Sequence, residues 1–370
     1  MTLKTRPAEG RHGWPLGLDI GGANLKAADG RGNAHSEPFP MWREADRLAV
    51  RLEALLARFP ETTCVVATMT GELADCFATK AEGVTAITRA LVTAAGARPV
   101  RLWSIREGFI SPDHALQHPF DVAASNWHAL ATWVGRQVPL GRTLLIDIGT
   151  TSSDLIPLED GQPRAIGATD LGRQLQGELV YTGARRTPLC AIPGPVFLRG
   201  VTLHLAAELF ATTLDIHLLR GNVAENPDDC DTANGQPATR AGAIDRLART
   251  LCCDRTELTA DELQSLADQL AEAQLQQLLA AVDRQAARWP RGWESVVLSG
   301  SGQFLGEALC RRHPLLRTAR PLRLADWLSP EMAESAPAHA LACLLLEDGE
   351  GGLAGEGPSR TSGCHPSAAT

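Results

Sequence analysis

Two stretches of this chain, GLDIGGANLKAA at residues 17–28 and LIDIGTTSSDLIPL at residues 145–158, follow one plan. Each is an apolar strand that ends in an aspartate and one more apolar residue, followed by a small turn that starts with glycine and then by a second apolar strand. The aspartates are Asp19 and Asp147. Because the same plan occurs twice at domain-scale spacing, it predicts two related half-domains, each opening on a β-hairpin.

Strand-like and helix-like stretches alternate around both hairpins, which predicts sheets with helices packed on them. In the first half, helices are predicted at 44–59, 82–95 and 125–137, and strands at 64–69 and 100–104. Beyond Pro195, helices are predicted at 201–210, 215–219, 241–253, 261–288, 304–312 and 336–346, with a long loop at 222–240 and a strand at 294–299.

Length and composition suit two ordinary domains with a core each. The chain has 370 residues, of which 44% are hydrophobic and 21% charged. A net charge of −8 argues against nucleic-acid binding, since phosphate backbones favour a basic face. No apolar run reaches the roughly 20 residues of a membrane span, and the first residues lack a signal-peptide pattern. We therefore expect a cytoplasmic protein with neither nucleic-acid nor membrane partners; the oligomeric state stays open.

These patterns divide the chain into four parts. We predict a flexible leader at 1–13, a first α/β domain at 14–140 and a second α/β domain at 141–348 that carries a helical insertion at about 200–290. A Gly-, Ser- and Pro-rich stretch at 349–370 is predicted to be a disordered tail.

Three small turns have the composition of phosphate-binding loops. Glycine lets backbone N–H groups point outward, and an aspartate at the preceding strand end can hold a divalent cation through waters. Asp19 and Asp147 are therefore candidate Mg²⁺ ligands, and Lys26 adds a positive charge near the first turn. The candidate ligand-binding residues of the turns are Gly21, Gly22 and Asn24, then Gly149, Thr150, Thr151 and Ser152, then Gly300, Ser301 and Gly302.

The order of these turns, two phosphate loops and a nucleoside-facing turn, resembles the actin/hexokinase/Hsp70 superfamily. The resemblance implies an α/β, two-domain fold of ribonuclease-H-like type with its ligand in the interdomain cleft. Taken singly each turn is a weak signal, and the Gly300 turn is the weakest, because strand–Gly–helix junctions are common in α/β proteins.

Shorter runs carry a closer resemblance. They are DIGGANLK at 19–26, PMW at 40–42, MTGELADC at 69–76, KAEG at 80–83, ASNW at 124–127, DIGTTSSD at 147–154, YTGARRTP at 181–188 and CDT at 230–232. Together they resemble one branch of the hydantoinase/oxoprolinase-like family, the branch of archaeal methanofuran-biosynthesis synthases and of bacterial proteins linked to tetrahydromethanopterin-dependent one-carbon transfer. The resemblance covers nearly the whole ordered chain.

That resemblance implies a transferase that joins an aminomethylfuran diphosphate to the phenol of γ-glutamyltyramine, forming an ether and releasing diphosphate. Such a reaction needs stabilisation of the leaving group and a base for the phenol proton. Asp154 or Glu72 is the candidate base, and Lys26 is grouped with them as catalytic. Further candidate ligand-binding residues are Lys80, Arg185, Arg186 and Asn126.

Two other functions remain open at this point. One is an ATP-dependent kinase or amide hydrolase of the hydantoinase/oxoprolinase kind, which would contact a nucleotide around Gly300; ATP is not required by the preferred hypothesis. The other is a non-catalytic nucleotide-binding scaffold, which predicts exposed apolar surface on residues 241–288. Fold alone cannot choose among them.

Overall fold

The computed structural model describes residues 14–348. The leader predicted at 1–13 and the tail predicted at 349–370 lie outside the described residues, so both stay predictions.

The first sheet is built around the first of the two hairpins. Its six strands lie in the order β3-β2-β1-β4-β5-β6. Strands β1, β2 and β3 are antiparallel neighbours, whereas β4 and β5 run parallel to β1 and β6 turns back antiparallel. The bounds are β1 Trp14–Ile20, β2 Asn24–Ala28, β3 Ala34–Pro38, β4 Thr62–Met69, β5 Val100–Ser104 and β6 Gly108–Ile110.

The second sheet repeats this arrangement around the second hairpin. Its order is β10-β8-β7-β13-β14, with β9 paired to β8. Again an antiparallel trio, β7, β8 and β10, is extended by two strands parallel to β7. The bounds are β7 Arg142–Ile148, β8 Ser153–Glu159, β9 Gln162–Pro163 and β10 Leu179–Val180, then β11 Val196–Leu198 and β12 Val201–Leu203 of a separate two-stranded sheet, then β13 Ser295–Ser299 and β14 Arg320–Arg323. This duplicated topology confirms the predicted α/β fold class, and the ligand in the interdomain cleft stays a prediction.

Helices pack on both sheets. Their bounds are α1 Met41–Glu44, α2 Leu48–Ala57, α3 Lys80–Ala95, α4 Pro112–Gln117, α5 Pro119–Val122, α6 Asn126–Gln137, α7 Asp170–Gln176, α8 Thr213–Leu219, α9 Arg240–Arg249, α10 Ala260–Ala286, α11 Gln303–Arg312, α12 Pro314–Arg317, α13 Pro330–Glu334 and α14 Ala336–Asp348. The longest, α10, starts at a capping box in which the Thr259 side chain and Glu262 satisfy each other's backbone N–H groups. Its leucine stripe is buried, as the 3.6-residue period predicts.

The last helix returns to the first sheet. Helix α14 packs on β1 and on α6, and at Gly17 the approach is so close that a Cβ would lie 1.9 Å from the Ala338 carbonyl oxygen. One buried cluster accordingly mixes side chains of both halves, such as Val66 of β4, Leu145 of β7 and Leu341 of α14. The end of the predicted second domain thus contributes to the core of the first sheet.

The helix predicted at residues 201–210 is wrong. Residues 196–203 form the hairpin β11–β12 instead, and the chain beyond it is irregular up to α8. Both turn residues have positive φ, 51° at Arg199 and 79° at Gly200, which is the two-residue turn that matches strand twist. The Arg199-Gly200 pair, between Val- and Leu-containing runs, was the overlooked local signal.

Candidate phosphate and metal site

The first candidate loop, residues 21–24 between β1 and β2, is held by its own backbone and by two neighbouring segments. The Gly21 N–H donates to the Asn24 carbonyl at 3.0 Å, and the Met41 N–H, at the start of α1, donates to the Gly22 carbonyl at 3.0 Å. A Cβ on Gly71 would lie 3.0 Å from the Gly21 carbonyl oxygen, whereas a Cβ on Gly22 would meet no atom closer than 3.9 Å. One side of the loop is therefore packed, and the Gly22 side is open.

The second candidate loop, residues 149–152 between β7 and β8, is closed in the same way. The Gly149 N–H donates to the Ser152 carbonyl at 2.9 Å, and the N–H groups of Arg185 and Arg186 donate to the Thr150 carbonyl at 3.0 and 2.9 Å. The hydroxyl oxygens of Thr150 and Thr151 lie 3.5 Å apart and are half-buried. These residues present hydroxyl donors at the turn.

The third turn, residues 300–302, packs directly beside the second loop. Gly300 has a φ of 86°, and a Cβ there would lie 2.2 Å from the Ile148 carbonyl oxygen and 2.8 Å from an Asp147 carboxylate oxygen. The Gly302 N–H donates to the same Ile148 carbonyl at 2.8 Å, while Ser301 is exposed. Only glycine allows this approach, so the turn lies against the Asp147 strand end.

The two aspartates predicted to bind metal lie on different sheets, and both have raised pKa values. Burial raises the pKa of Asp19 to about 6, and Lys26, its cross-strand neighbour, opposes the increase. Burial also raises the pKa of Asp147 to about 6, and the nearby Asp154 and Asp19 carboxylates raise it further. The Asp19 Oδ1 atom is buried without a hydrogen-bond partner among residues 14–348. Its carboxylate thus lacks the donors that normally stabilise a buried negative charge.

These two carboxylates suit a hydrated Mg²⁺ ion better than a protein-only metal cage. Among residues 14–348 no group of three or more His, Cys, Asp or Glu side chains is arranged to hold a metal ion. Mg²⁺ usually keeps several waters and takes one or two carboxylates together with phosphate oxygens of the substrate. Asp19 and Asp147 match that donor set when a phosphorylated ligand supplies the remaining oxygens.

Three of the four predicted basic residues are engaged within the chain. The Lys26 ammonium donates to the Glu334 carbonyl at 2.8 Å, Lys80 to Asp170 at 2.8 Å, and Arg185 to Asp229 at 2.5 Å. Arg186 differs, because its guanidinium has no hydrogen-bond or ion-pair partner among residues 14–348 and lies 6.0 Å from the centroid of the Trp42 ring. Arg186 is consequently the one of the four whose donors are not shared with another group of residues 14–348.

Asp154 is tied to an arginine that sequence reasoning did not identify. The Arg173 guanidinium on α7 donates to Asp154 at 2.5 Å and to Asp170 at 3.1 Å. The same guanidinium lies 4.7 Å from the Trp127 ring centroid, on α6. Since Asp170 also binds Lys80 of α3, helix α7 joins the second sheet to helices of the first.

Glu72 lies in a different environment. It is 1% exposed, and its Oε2 atom has no hydrogen-bond partner among residues 14–348. Burial raises the pKa of Glu72 to about 7, partly opposed by the charge of Lys80. A carboxyl group with a pKa near neutrality is suited to accept a proton.

Asn126 has a local role. Its side-chain oxygen accepts a hydrogen bond from the Trp127 N–H at 2.8 Å, at the start of α6. Within residues 14–348 it makes no hydrogen bond to the three turns, so its assignment to ligand binding stays a prediction.

Several neighbours of the site were missed from the sequence: Trp42, Asp170, Arg173, Gly183 and Ser299. Thr169 caps α7 by accepting from the Gly172 N–H, and this Thr-Asp start was a readable helix signal. Gly183 supports the second loop, because a Cβ there would lie 2.6 Å from the Thr150 carbonyl carbon. No local sequence pattern indicated that Arg173 binds Asp154 and Asp170 or that Arg185 binds Asp229.

A family model described as hydantoinase/oxoprolinase matches residues 63–321, which is most of the chain. The chain belongs to the hydantoinase/oxoprolinase family. The (4-{4-[2-(gamma-L-glutamylamino)ethyl]phenoxymethyl}furan-2-yl)methanamine synthase of Methanocaldococcus jannaschii is 36% identical over 299 residues, covering 80% of this chain and 88% of that protein. The protein of the same name from Methanococcus vannielii is 32% identical over 167 residues, covering 45% of this chain and 74% of that protein.

Solved structures with similar architecture were also found. A nucleotide-free acetone carboxylase has a TM-score of 0.49 at 11% identity, covering 90% of this chain and 70% of that chain. An archaeal actin homologue, Ta0583, has a TM-score of 0.39 at 12% identity, covering 90% of this chain and 99% of that chain. Among the helices of residues 14–348, none is both long and apolar enough to cross a membrane.

Proposed function

We propose that this hydantoinase/oxoprolinase family member is a transferase of methanofuran-type cofactor biosynthesis in tetrahydromethanopterin-linked one-carbon metabolism. It condenses an aminomethylfuran diphosphate with the phenol of γ-glutamyltyramine, or of tyramine, and releases diphosphate. The observation that carries the proposal is the 36% identity to a synthase whose product name contains a phenoxymethyl-furan ether, over 88% of that protein's length.

The two loops supply what the leaving group requires. In the reaction, the bond between the furfuryl carbon and the diphosphate oxygen breaks, and the phenol oxygen bonds to that carbon. The furan ring oxygen shares positive charge on the carbon, so departure of diphosphate runs ahead of phenol attack. Backbone N–H groups of residues 22–23 and 150–152, with the Arg186 guanidinium, which has no partner among residues 14–348, then stabilise negative charge on the leaving diphosphate.

Asp19 and Asp147 are the residues that would hold Mg²⁺ at this site. A bound Mg²⁺ ion would neutralise charge on the diphosphate and make it a better leaving group. The two carboxylates must be ionised for this role, which their pKa values of about 6 permit at neutral pH.

Glu72 is the proposed base for the phenol proton. Its unpartnered Oε2 and its pKa of about 7 suit proton acceptance at neutral pH. Asp154 is a weaker candidate because its carboxylate is engaged by Arg173. We therefore assign proton transfer to Glu72. Arg173 instead neutralises the negative charge of Asp154.

The ATP-dependent alternative predicts a nucleotide at the Gly300 turn, which lies beside Asp147. The scaffold alternative predicts exposed apolar surface on residues 241–288. In that segment, which the structure describes completely, no large apolar side chain is exposed. This observation does not favour the scaffold, so the ATP-dependent enzyme is the rival to test.

The deciding experiment is an assay of diphosphate release by purified protein with Mg²⁺, aminomethylfuran diphosphate and γ-glutamyltyramine or tyramine, run beside an ATP assay. We expect diphosphate and an aryl furfuryl ether from wild type, and neither from Asp147→Ala. An inert furan substrate together with formation of ADP from ATP would show that the diphosphate assignment is wrong.

A further inference from the structure

The side chains of Trp42, next to the first loop, and Arg186, next to the second loop, lie near each other. Trp42 lies in α1, directly after Met41, whose N–H binds the Gly22 carbonyl of the first loop. The N–H of Arg186 binds the Thr150 carbonyl of the second loop. The guanidinium carbon of Arg186 lies 6.0 Å from the centroid of the Trp42 ring. Side chains anchored on different loops therefore meet at this point.

The pair is loose compared with the other arginine–tryptophan contacts of the chain. The guanidinium carbon of Arg31 lies 4.1 Å from the Trp14 ring centroid, and that of Arg173 lies 4.7 Å from the Trp127 ring centroid. A separation of 6.0 Å is at the outer limit of cation–π attraction. Trp42 is also 41% exposed, although it follows the buried Met41. The ring is thus not covered by its arginine neighbour.

The charge pattern around the pair indicates an anionic group next to a ring. Of the basic side chains predicted to bind ligand, Lys26, Lys80 and Arg185 are engaged within the chain, which leaves Arg186 with free donors. An arginine fork binds phosphate oxygens in a bidentate way. An exposed indole beside it offers a flat surface on which another aromatic ring can stack.

We propose that Trp42 binds the ring of the phosphorylated substrate by stacking, while Arg186 binds its diphosphate. The furan ring is the expected occupant because only one methylene separates it from the diphosphate, so ring and phosphate reach neighbouring side chains. In a nucleotide, the ribose separates the base from the phosphates by a longer path. The identity of the ring rests on the proposed function, whereas the pairing of ring and phosphate subsites rests on the geometry.

The test measures binding without acceptor, so no turnover occurs. Dissociation constants for aminomethylfuran diphosphate and for inorganic diphosphate, each with Mg²⁺, are measured by calorimetry for wild type and for Trp42→Leu, Trp42→Phe, Arg186→Gln and Arg186→Lys. Matched controls are Phe197→Leu, an exposed aromatic residue of β11, and Arg58→Gln, an exposed arginine at the end of α2. The two control variants show how much ligand affinity changes when an exposed aromatic ring or an exposed positive charge is removed elsewhere on the surface.

Trp42→Leu is expected to weaken binding of the furan ligand about tenfold or more, as for loss of an aromatic stacking partner, and to leave inorganic diphosphate within about twofold. Trp42→Phe should restore most of that affinity. Arg186→Gln should weaken both ligands, with partial recovery in Arg186→Lys.

A Trp42→Leu variant that loses affinity for both ligands equally, or for neither, overturns the ring subsite. So does an effect no larger than that of Phe197→Leu. The proposed function fails separately, when wild type releases no diphosphate with the acceptor present, and the ratio of the two dissociation constants still decides the ring subsite. Absence of furan-ligand binding in wild type overturns both.

Discussion

Glu72 and Asp154 are both buried carboxyl groups near the candidate ligand site, and their hydrogen-bond partners give them different chemistry. The Asp154 carboxylate accepts a short hydrogen bond from Arg173, so protonating it would break a buried ion pair. The Oε2 atom of Glu72 has no such partner among residues 14–348, and burial raises the pKa of Glu72 to about 7. At the residue scale, Glu72 is the group able to exchange a proton near neutral pH.

The Glu72 assignment predicts the pH dependence of the reaction. Because burial raises the pKa to about 7, the carboxyl is protonated below that pH and cannot accept the phenol proton. The rate constant kcat should therefore fall as pH falls through about 7. Glu72→Gln should lower kcat by about 10²- to 10⁴-fold and remove this acid limb. The measurement is kcat against pH for both proteins.

Asp154→Asn serves as the comparison for Glu72→Gln. It removes the more buried of the two carboxylates that pair with Arg173 and leaves only Asp170, so it should lower the free energy of unfolding, yet the folded fraction should keep the acid limb near pH 7. An unchanged acid limb in Glu72→Gln would show that another group is the base.

The turns of the site depend on glycines that face other backbone segments, and these glycines act at the scale of whole elements. Gly183 lies between β10 and the second loop, and a Cβ there would meet the backbone of Thr150 and Thr151 at 2.6 Å. At Gly22 in the first loop, a Cβ would make only ordinary van der Waals contacts, 3.9 Å from the Gly71 Cα and 4.0 Å from the Thr70 carbonyl oxygen. The first position is packed against the protein, whereas the second faces the open side of its loop.

Substitution of these two glycines by alanine is predicted to affect stability differently and to weaken ligand binding in both cases. Gly183→Ala must displace the second loop, so it should lower the free energy of unfolding by about 1–3 kcal/mol and weaken binding of Mg²⁺-diphosphate. Gly22→Ala should leave the free energy of unfolding within about 0.5 kcal/mol of wild type, because nothing in the fold opposes the methyl group. It should still weaken diphosphate binding, because the ligand must approach that backbone closely.

Chemical denaturation and calorimetric titration of both variants check this pair of expectations. Normal diphosphate affinity in Gly22→Ala would remove the first loop from the ligand site. Normal stability in Gly183→Ala would contradict the close packing between residue 183 and the second loop.

At the scale of the whole molecule, the packing of the two sheets brings the carboxylates of Asp19 and Asp147 near each other, and few donors or positive charges offset their negative charge. Asp19 and Asp147 are the penultimate residues of β1 and β7, and the Asp19 charge contributes to the raised pKa of Asp147. Each has a folded-state pKa of about 6 against an ordinary value of 3.8. Because the folded protein holds these protons more tightly than the unfolded chain does, each protonated carboxyl contributes to stability. This contribution is complete below the unfolded pKa and is lost as pH rises through the folded pKa of about 6. The ligand-free protein thus carries two carboxylates whose ionised forms are destabilising at neutral pH.

Asp19→Asn should therefore stabilise the ligand-free protein at about pH 8, by about 1–3 kcal/mol. The gain should shrink at about pH 5, because Asp19 is then already protonated in the fold. The same variant should lose the increase in Tm that Mg²⁺ and diphosphate give the wild type. Urea unfolding at the two pH values and thermal unfolding with and without ligand test these statements.

Asp75→Asn is a suitable control. The Asp75 side chain is exposed, so the cost of burying an ionised carboxylate does not apply to it. A destabilising effect of Asp19→Asn at pH 8 would contradict the account, because it would mean that the ionised carboxylate is favourably paired in the fold.

Local patterns were sufficient to predict both hairpins, because strand alternation, a terminal aspartate and a glycine turn lie within one short stretch of chain. The duplicated α/β class followed from the repeat of that stretch. The long helix α10 followed from the period of its leucines. The residues of the three turns were likewise predicted from composition, and their role in ligand binding stays a prediction.

Tertiary structure alone decided which charged groups remain available. Lys26 binds the carbonyl of a residue 308 positions away, and Lys80 binds an aspartate 90 positions away. Arg173 reached Asp154 through a helix, α7, that the sequence pattern did not predict. Such partners meet only when distant segments of the chain pack together. The sequence around each residue therefore does not indicate which partner it binds. For the same reason, the sequence predicts the loops and carboxylates of this protein, whereas only the packing of the two sheets decides that, among residues 14–348, the Arg186 guanidinium and the Oε2 atom of Glu72 have no hydrogen-bond partner.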